Sequence, residues 1–136
     1  MTETKPGRSI GIWIATVVAL TFGMLTIKSG GSVLFIDGIA REDAGNYVPF
    51  VLWFNFLAGF LYLLAGVGLY MQKNWAAWMS VFIASATIVV FALFCLHVIN
   101  DGLYETRTVT AMSLRTIVWV IIAIFAYRKY IHHKLV

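Results

Sequence analysis

Charge is what this chain has least of. Only 12% of its 136 residues are charged, against 61% hydrophobic, where a soluble domain is about 45 to 50% apolar. A water-soluble globular domain is therefore excluded. Cysteine occurs once, as Cys95, which rules out an intramolecular disulfide and a Cys-x-x-Cys redox pair. Acid is scarcer than base, six Asp and Glu against ten Lys and Arg, but a net charge of +4 with cations grouped at span ends is ordinary for a membrane protein, and no nucleic acid partner is implied. Motifs for phosphate cradling, a nucleophile elbow or a zinc protease are also missing.

What is abundant is long apolar sequence. Residues 10–27, 48–71, 75–99 and 109–127 form four runs, and only the last is interrupted, by Arg115. Each matches the ~17 to 25 residues that cross a hydrocarbon core ~30 Å thick. Lipid cannot satisfy backbone N–H and C=O groups, so each run must close its hydrogen bonds as a helix. The expected fold is an all-α integral membrane protein of one domain, residues 1–136. It is a four-transmembrane-helix up-down-up-down bundle with a folded outer loop, 28–47, a second outer loop, 100–108, and a cytoplasmic tail, 128–136. A cleaved secretory signal is the rival reading of the first run, since Lys5 and Arg8 precede it and Ser29-Gly30-Gly31-Ser32 follow. Against cleavage, the run exceeds the usual ~7 to 15 apolar residues. It also carries Gly11, Ala15, Ala19 and Gly23 every fourth position, a seam for a neighbouring helix.

Four crossings gather Lys5, Arg8, Lys73, Arg128, Lys129 and Lys134 on one side, against Lys28, Arg41, Arg107 and Arg115 on the other. The positive-inside rule makes the first side cytoplasmic, with both termini there, as in a bacterial-type inner membrane. Trp13, Tyr70, Trp75, Trp78, Tyr127 and Tyr130 fall at the inner interface and Tyr47, Trp53 and Tyr104 near the outer one. The Gln72-Lys73-Asn74 turn makes spans two and three neighbours. Gly59 and Gly66, and Ala76, Ser80 and Ala84, extend the seams, which suit packing within the chain, a homo-oligomer or a larger membrane complex alike. In layout alone, four short spans in one small domain, the chain resembles small bacterial inner-membrane proteins such as the DoxX-like group; that resemblance carries no site residue.

The outer loops are unusual. Residues 28–47 are long for a bundle connection and contain the Ser-Gly-Gly-Ser turn, the apolar run Val33-Leu34-Phe35-Ile36, an Asp37-Gly38 turn and a helical turn over 39–44 ended by Gly45. The apolar run is expected to dip into the interface or cover the bundle mouth, with Phe35, Asp37, Arg41 and Tyr47 as lid residues. Pro49 suits the first turn of span two, behind Asn46 or Tyr47, and span four should begin between Thr108 and Ser113.

Asn55, His97 and Arg115 all map to the outer half of the membrane, and polar groups there are expected to share a cavity with a partner. With Asp101, Glu105 and Arg107 they make the candidate ligand-binding set. Two accounts compete for Arg115: a late helix start with the side chain snorkelling to the surface, and a loop-locking network in which Asp37, Glu42, Asp43, Asp101 and Glu105 neutralise Arg41, Arg107 and Arg115. His97 and Asp101 share a face only if span three continues past Ile99, and without a second histidine nearby a hydrogen-bonded structural imidazole outweighs a metal ligand. His132 and His133 lie a membrane thickness from His97, which excludes bis-His haem ligation within one chain. Met24, Met112 and Cys95 are expected in the core. No cofactor is required by the sequence.

Three functions compete. The first is binding or transport of a small polar or anionic ligand at the extracytoplasmic face; the second is an accessory subunit of a larger membrane complex. Last is a membrane enzyme acting on a lipid or isoprenoid, with His97 or Glu105 as base.

Overall fold

Apolar sequence on every face leaves helices as the only backbone solution in lipid, and helices are what form. The computed structural model describes residues 9–35, 38, 39, 42, 45 and 48–132. Four helices are long and apolar enough to cross a membrane: α1, Ile10–Phe35; α2, Pro49–Tyr70; α3, Asn74–Ile99; and α4, Thr106–Ala126. A π-helical turn, Tyr127–His132, prolongs α4. Of the expected lid residues, Asp37, Arg41 and Tyr47 lie outside the described residues.

Small residues set the packing. On α1 the buried positions Ala19, Gly23, Thr26, Gly30 and Val33 recur at alternating four- and three-residue spacing, the pattern of helices crossing at a shallow angle. A Cβ on Gly23 would stand 2.9 Å from the Gly59 carbonyl oxygen, so the two backbones touch there. Ala19 lies beside Gly66, and Gly30 beside Phe56, so numbers rise along α1 as they fall along α2. This is the closest helix pair; α2 with α3 and α3 with α4 follow, while the α1 and α4 backbones stay farther apart. The seam over Ala76, Ser80 and Ala84 is buried, with Ala76 against Gly68. Tyr62 and Trp119 fill the centre, both fully buried.

The first helix is longer than its sequence pattern implies. Ser29-Gly30-Gly31-Ser32, expected as a turn, is helical, and Val33–Phe35 is the last turn of α1 rather than part of a loop. Glycine costs a helix about 1 kcal/mol per residue, and tertiary contact offsets it here. Gly30 is buried against Phe56, Ser32 donates to the Lys28 carbonyl at 2.8 Å, and the Phe35 ring meets Trp53 and Phe56 edge-on at 5.7 and 5.4 Å. In the following connection, Glu42 N–H bonds the Gly38 carbonyl and Gly45 closes the turn at φ +63, as its composition implies.

Helix ends follow the same physics. Pro49 takes the first turn of α2, but Val48 precedes it as the N-cap with no side-chain bond, instead of Asn46 or Tyr47. α4 starts at Thr106, two residues before the expected range. At the ends of α2 and α3 the chain makes the same paired closure. Lys73 N–H reaches the Gly68 carbonyl and Gln72 N–H that of Leu69; Gly102 N–H reaches the His97 carbonyl and Asp101 N–H that of Val98. Both are Schellman closures whose left-handed residue is not glycine: Gln72 has φ 56 and Asp101 φ 61. Tyr130 is buried against the last turn of α2 and donates to the Leu69 carbonyl at 2.8 Å. Cys95 and Met24, expected in the core, face outward, because neither falls on the small-residue seam; only Met112 is buried.

Candidate functional site

Two cavities open at the His97 end of the bundle, on either side of Ala111. The first, about 230 Å³, lies between the start of α2 and the start of α4 and is lined by Val51, Asn55, Glu105, Arg107, Thr108 and Ala111, among others. The second, about 190 Å³, lies between α1 and α4 and is lined by Phe22, Thr26, Ser29, Ala111, Leu114 and Arg115, among others. At about 30 Å³ per water, each holds on the order of six to eight waters or one small ion or metabolite. α4 supplies both walls because Thr108, Ala111 and Arg115 are three and four residues apart.

Arg115 is the centre of the second cavity. Its Nη1 donates to the Thr26 hydroxyl on α1 at 2.7 Å, and its Nε is buried with no partner. Nine residues into α4, it lies about 14 Å below the helix start. The side chain crosses sideways to α1, where a snorkelling residue would run up toward the surface. Among the described residues no carboxylate pairs with it: its one hydrogen-bond acceptor is a neutral hydroxyl. The Tyr62 hydroxyl feels the same guanidinium without a hydrogen bond of full geometry. Below it Tyr62 and Trp119 stack, with ring centroids 4.8 Å apart at 31°.

Unsatisfied polar atoms gather along this interior. Asn55 Oδ1, Tyr62 OH, Arg115 Nε, Trp119 Nε1 and Thr16 Oγ1 are buried and lack partners. Each such atom costs about 1 to 3 kcal/mol when left bare, and in folded proteins bound water or a ligand commonly satisfies it. Hydroxyls that do no more than bond their own helix, Ser80 to Ala76 and Thr87 to Ile83, show the bland alternative.

The sequence-derived set is thus divided. Asn55, Glu105 and Arg107 share one cavity and Arg115 lines the other. His97 lies apart from both. α3 stops at Ile99, so Asp101 does not continue its face; the imidazole instead hydrogen-bonds the Leu103 carbonyl at 2.9 Å, lies over Gly102 and meets the Phe50 ring edge-on. This is a cap on the end of α3. Asp101 is exposed, and among the described residues no His, Cys, Asp and Glu cluster could hold a metal. Phe35 packs on Trp53 and Phe56 at the rim of the α1–α2 pair.

Sequence reasoning missed Thr26, Tyr62 and Trp119. A signal existed for each: Thr26 continues the Ala19 and Gly23 spacing, and Tyr62 and Trp119 are polar-tipped aromatics at mid-span, away from the interfacial belts. Comparison with family models, with characterised proteins and with solved structures finds no match to this chain.

Proposed function

We propose that this protein is a small polytopic inner-membrane protein that binds a small polar or anionic ligand at its extracytoplasmic face, as a receptor or as one step of transport. In this reading the helices run up-down-up-down with both termini cytoplasmic, and the His97 end faces outward. The observation that carries it is Arg115. A guanidinium within a membrane-spanning helix costs roughly 2.5 to 3.5 kcal/mol on insertion scales. Here the Thr26 hydroxyl, the nearby Tyr62 hydroxyl and an unpartnered Nε supply no counter-charge. An anion beside Arg115 supplies the missing acceptor and the missing charge together, with a charge-assisted bond roughly twice as strong as a neutral one. Thr26 fixes the orientation of the fork, and the Asn55, Glu105 and Arg107 cavity lies on the other side of Ala111. The test is equilibrium titration of the protein in neutral-lipid nanodiscs with phosphate, sulfate and acetate. Wild type should bind at least one of them, Arg115→Gln should weaken that Kd at least tenfold with its helicity intact, and an unchanged Kd would remove the proposal.

A further inference from the structure

We infer that the ligand of Arg115 is an anionic amphiphile drawn sideways from the bilayer, its headgroup on the guanidinium and its acyl chain in the groove between α1 and α4. This rests on the anion reading of Arg115 and narrows it. α1 and α4 are not among the closely packed helix pairs, and a further hollow lies along them below Arg115. It measures about 320 Å³ and is lined by Gly11, Ile14, Val18, Val118, Ile121 and Phe125, with two further apolar residues.

The two hollows follow one line. Val18 is one helical turn from Phe22 on α1, and Val118 one turn from Leu114 on α4; Phe22 and Leu114 line the upper hollow with Thr26, Ser29 and Arg115. A track results that is cationic and hydroxyl-bearing at one end and wholly apolar along the rest. Its lower part has room for about ten groups the size of a water molecule, which a segment of acyl chain supplies. Ile14 and Ile121 on its rim are 58% and 60% exposed, so the track opens toward lipid. A free inorganic anion would use the upper end and leave the lower one with nothing to bind. An acyl chain leaving equally apolar lipid is retained in the track only when its headgroup is held at the end. What distinguishes this track from ordinary lipid contact is the charge at its end, and that commits the occupant to an anionic head.

Oleate and acetate separate the two levels of the argument, because they share a carboxylate and differ in the chain. Tritiated forms of each are titrated onto the protein in phosphatidylcholine nanodiscs, with wild type, Arg115→Gln, Ile121→Trp and Ile14→Trp. The tryptophans fill the track from its exposed rim without touching Arg115, and two of them guard against misfolding of either one. Wild type should bind oleate at least tenfold more tightly than acetate. Both tryptophan variants should lose at least tenfold toward oleate and keep wild-type acetate binding, and Arg115→Gln should weaken both ligands. Equal affinity for oleate and acetate, or wild-type oleate binding by the filled variants, overturns the amphiphile and leaves the anion site standing. Unchanged binding of both ligands to Arg115→Gln overturns the anion site and this inference with it.

Discussion

Replacing Arg115 by leucine should make the empty protein more stable, which is the reverse of what a structural arginine would do. The guanidinium lies about 14 Å along a helix that runs about 39 Å from Thr106 to Ile131, so it stands short of the midpoint and bears most of the insertion cost, roughly 2 kcal/mol. Its unpartnered Nε adds about 1 to 3 kcal/mol. The bond to Thr26 returns about 1.5 to 3 kcal/mol. The sum leaves the ligand-free bundle destabilised by about 0 to 3.5 kcal/mol, and leucine, which lipid and the neighbouring Phe22 and Leu25 both accept, removes that burden. Thr26 is not stranded by the change, because a helical threonine can turn its hydroxyl to the carbonyl four residues earlier, as Thr87 does here. The assay is reversible unfolding of the delipidated protein in mixed micelles, followed by helicity, for wild type and Arg115→Leu. A gain of about 1 kcal/mol or more fits a site held at a stability cost for the sake of its ligand. A loss of more than about 1 kcal/mol would refute the reasoning, since it would mean that the guanidinium holds α1 to α4.

Three further outcomes follow from the packing. Gly23→Ala should destabilise the bundle by about 1 to 3 kcal/mol, because its Cβ would meet the Gly59 carbonyl oxygen at 2.9 Å, which cannot rotate away; the same unfolding assay reads it. Gln72→Gly, at the left-handed residue that closes α2, should stabilise by about 0.5 to 1 kcal/mol without altering ligand binding. Tyr130→Phe removes the hydroxyl bonded to the Leu69 carbonyl and should cost about 1 kcal/mol, together with faster hydrogen exchange in the turn after Tyr70.

Much of this architecture is legible in the residues. The four apolar runs place the helices, and Pro49 and the 72–74 turn mark boundaries to within a residue or two. The seams built on Ala19, Gly23, Gly59, Ala76 and Ala84 are buried where their spacing puts them. The Ser29 to Ser32 stretch misleads because local rules read two glycines as a turn, whereas the decisive contact is with Phe56, on another helix and about 26 residues away in sequence. Gly102 marks the end of α3, which stops at Ile99. It stands one residue beyond the left-handed position, which Asp101 occupies, and what its lack of a side chain accommodates is the His97 ring.

The site was legible as a list of costly residues and not as a geometry. Hydropathy marks Asn55, His97 and Arg115 as polar groups within apolar runs, but it carries no information about azimuth around the bundle, and azimuth decides which groups meet. Arg115 and Trp119 are one turn apart on α4, while Asn55 and Tyr62 are two turns apart on α2; the stacking of Tyr62 on Trp119 fixes how those two faces oppose each other. Once that stack is set, Arg115 is directed toward Thr26 on the α1–α4 side, and Asn55 is left to line the α2–α4 side. A single substitution at the stack therefore reaches both hollows. Trp119→Leu should weaken anion binding at Arg115 although residue 119 touches no ligand there, whereas His97→Ala, at the far cap of α3, should leave it unchanged; the opposite ranking in the nanodisc titration would mean that the imidazole, and not the aromatic stack, organises the polar interior.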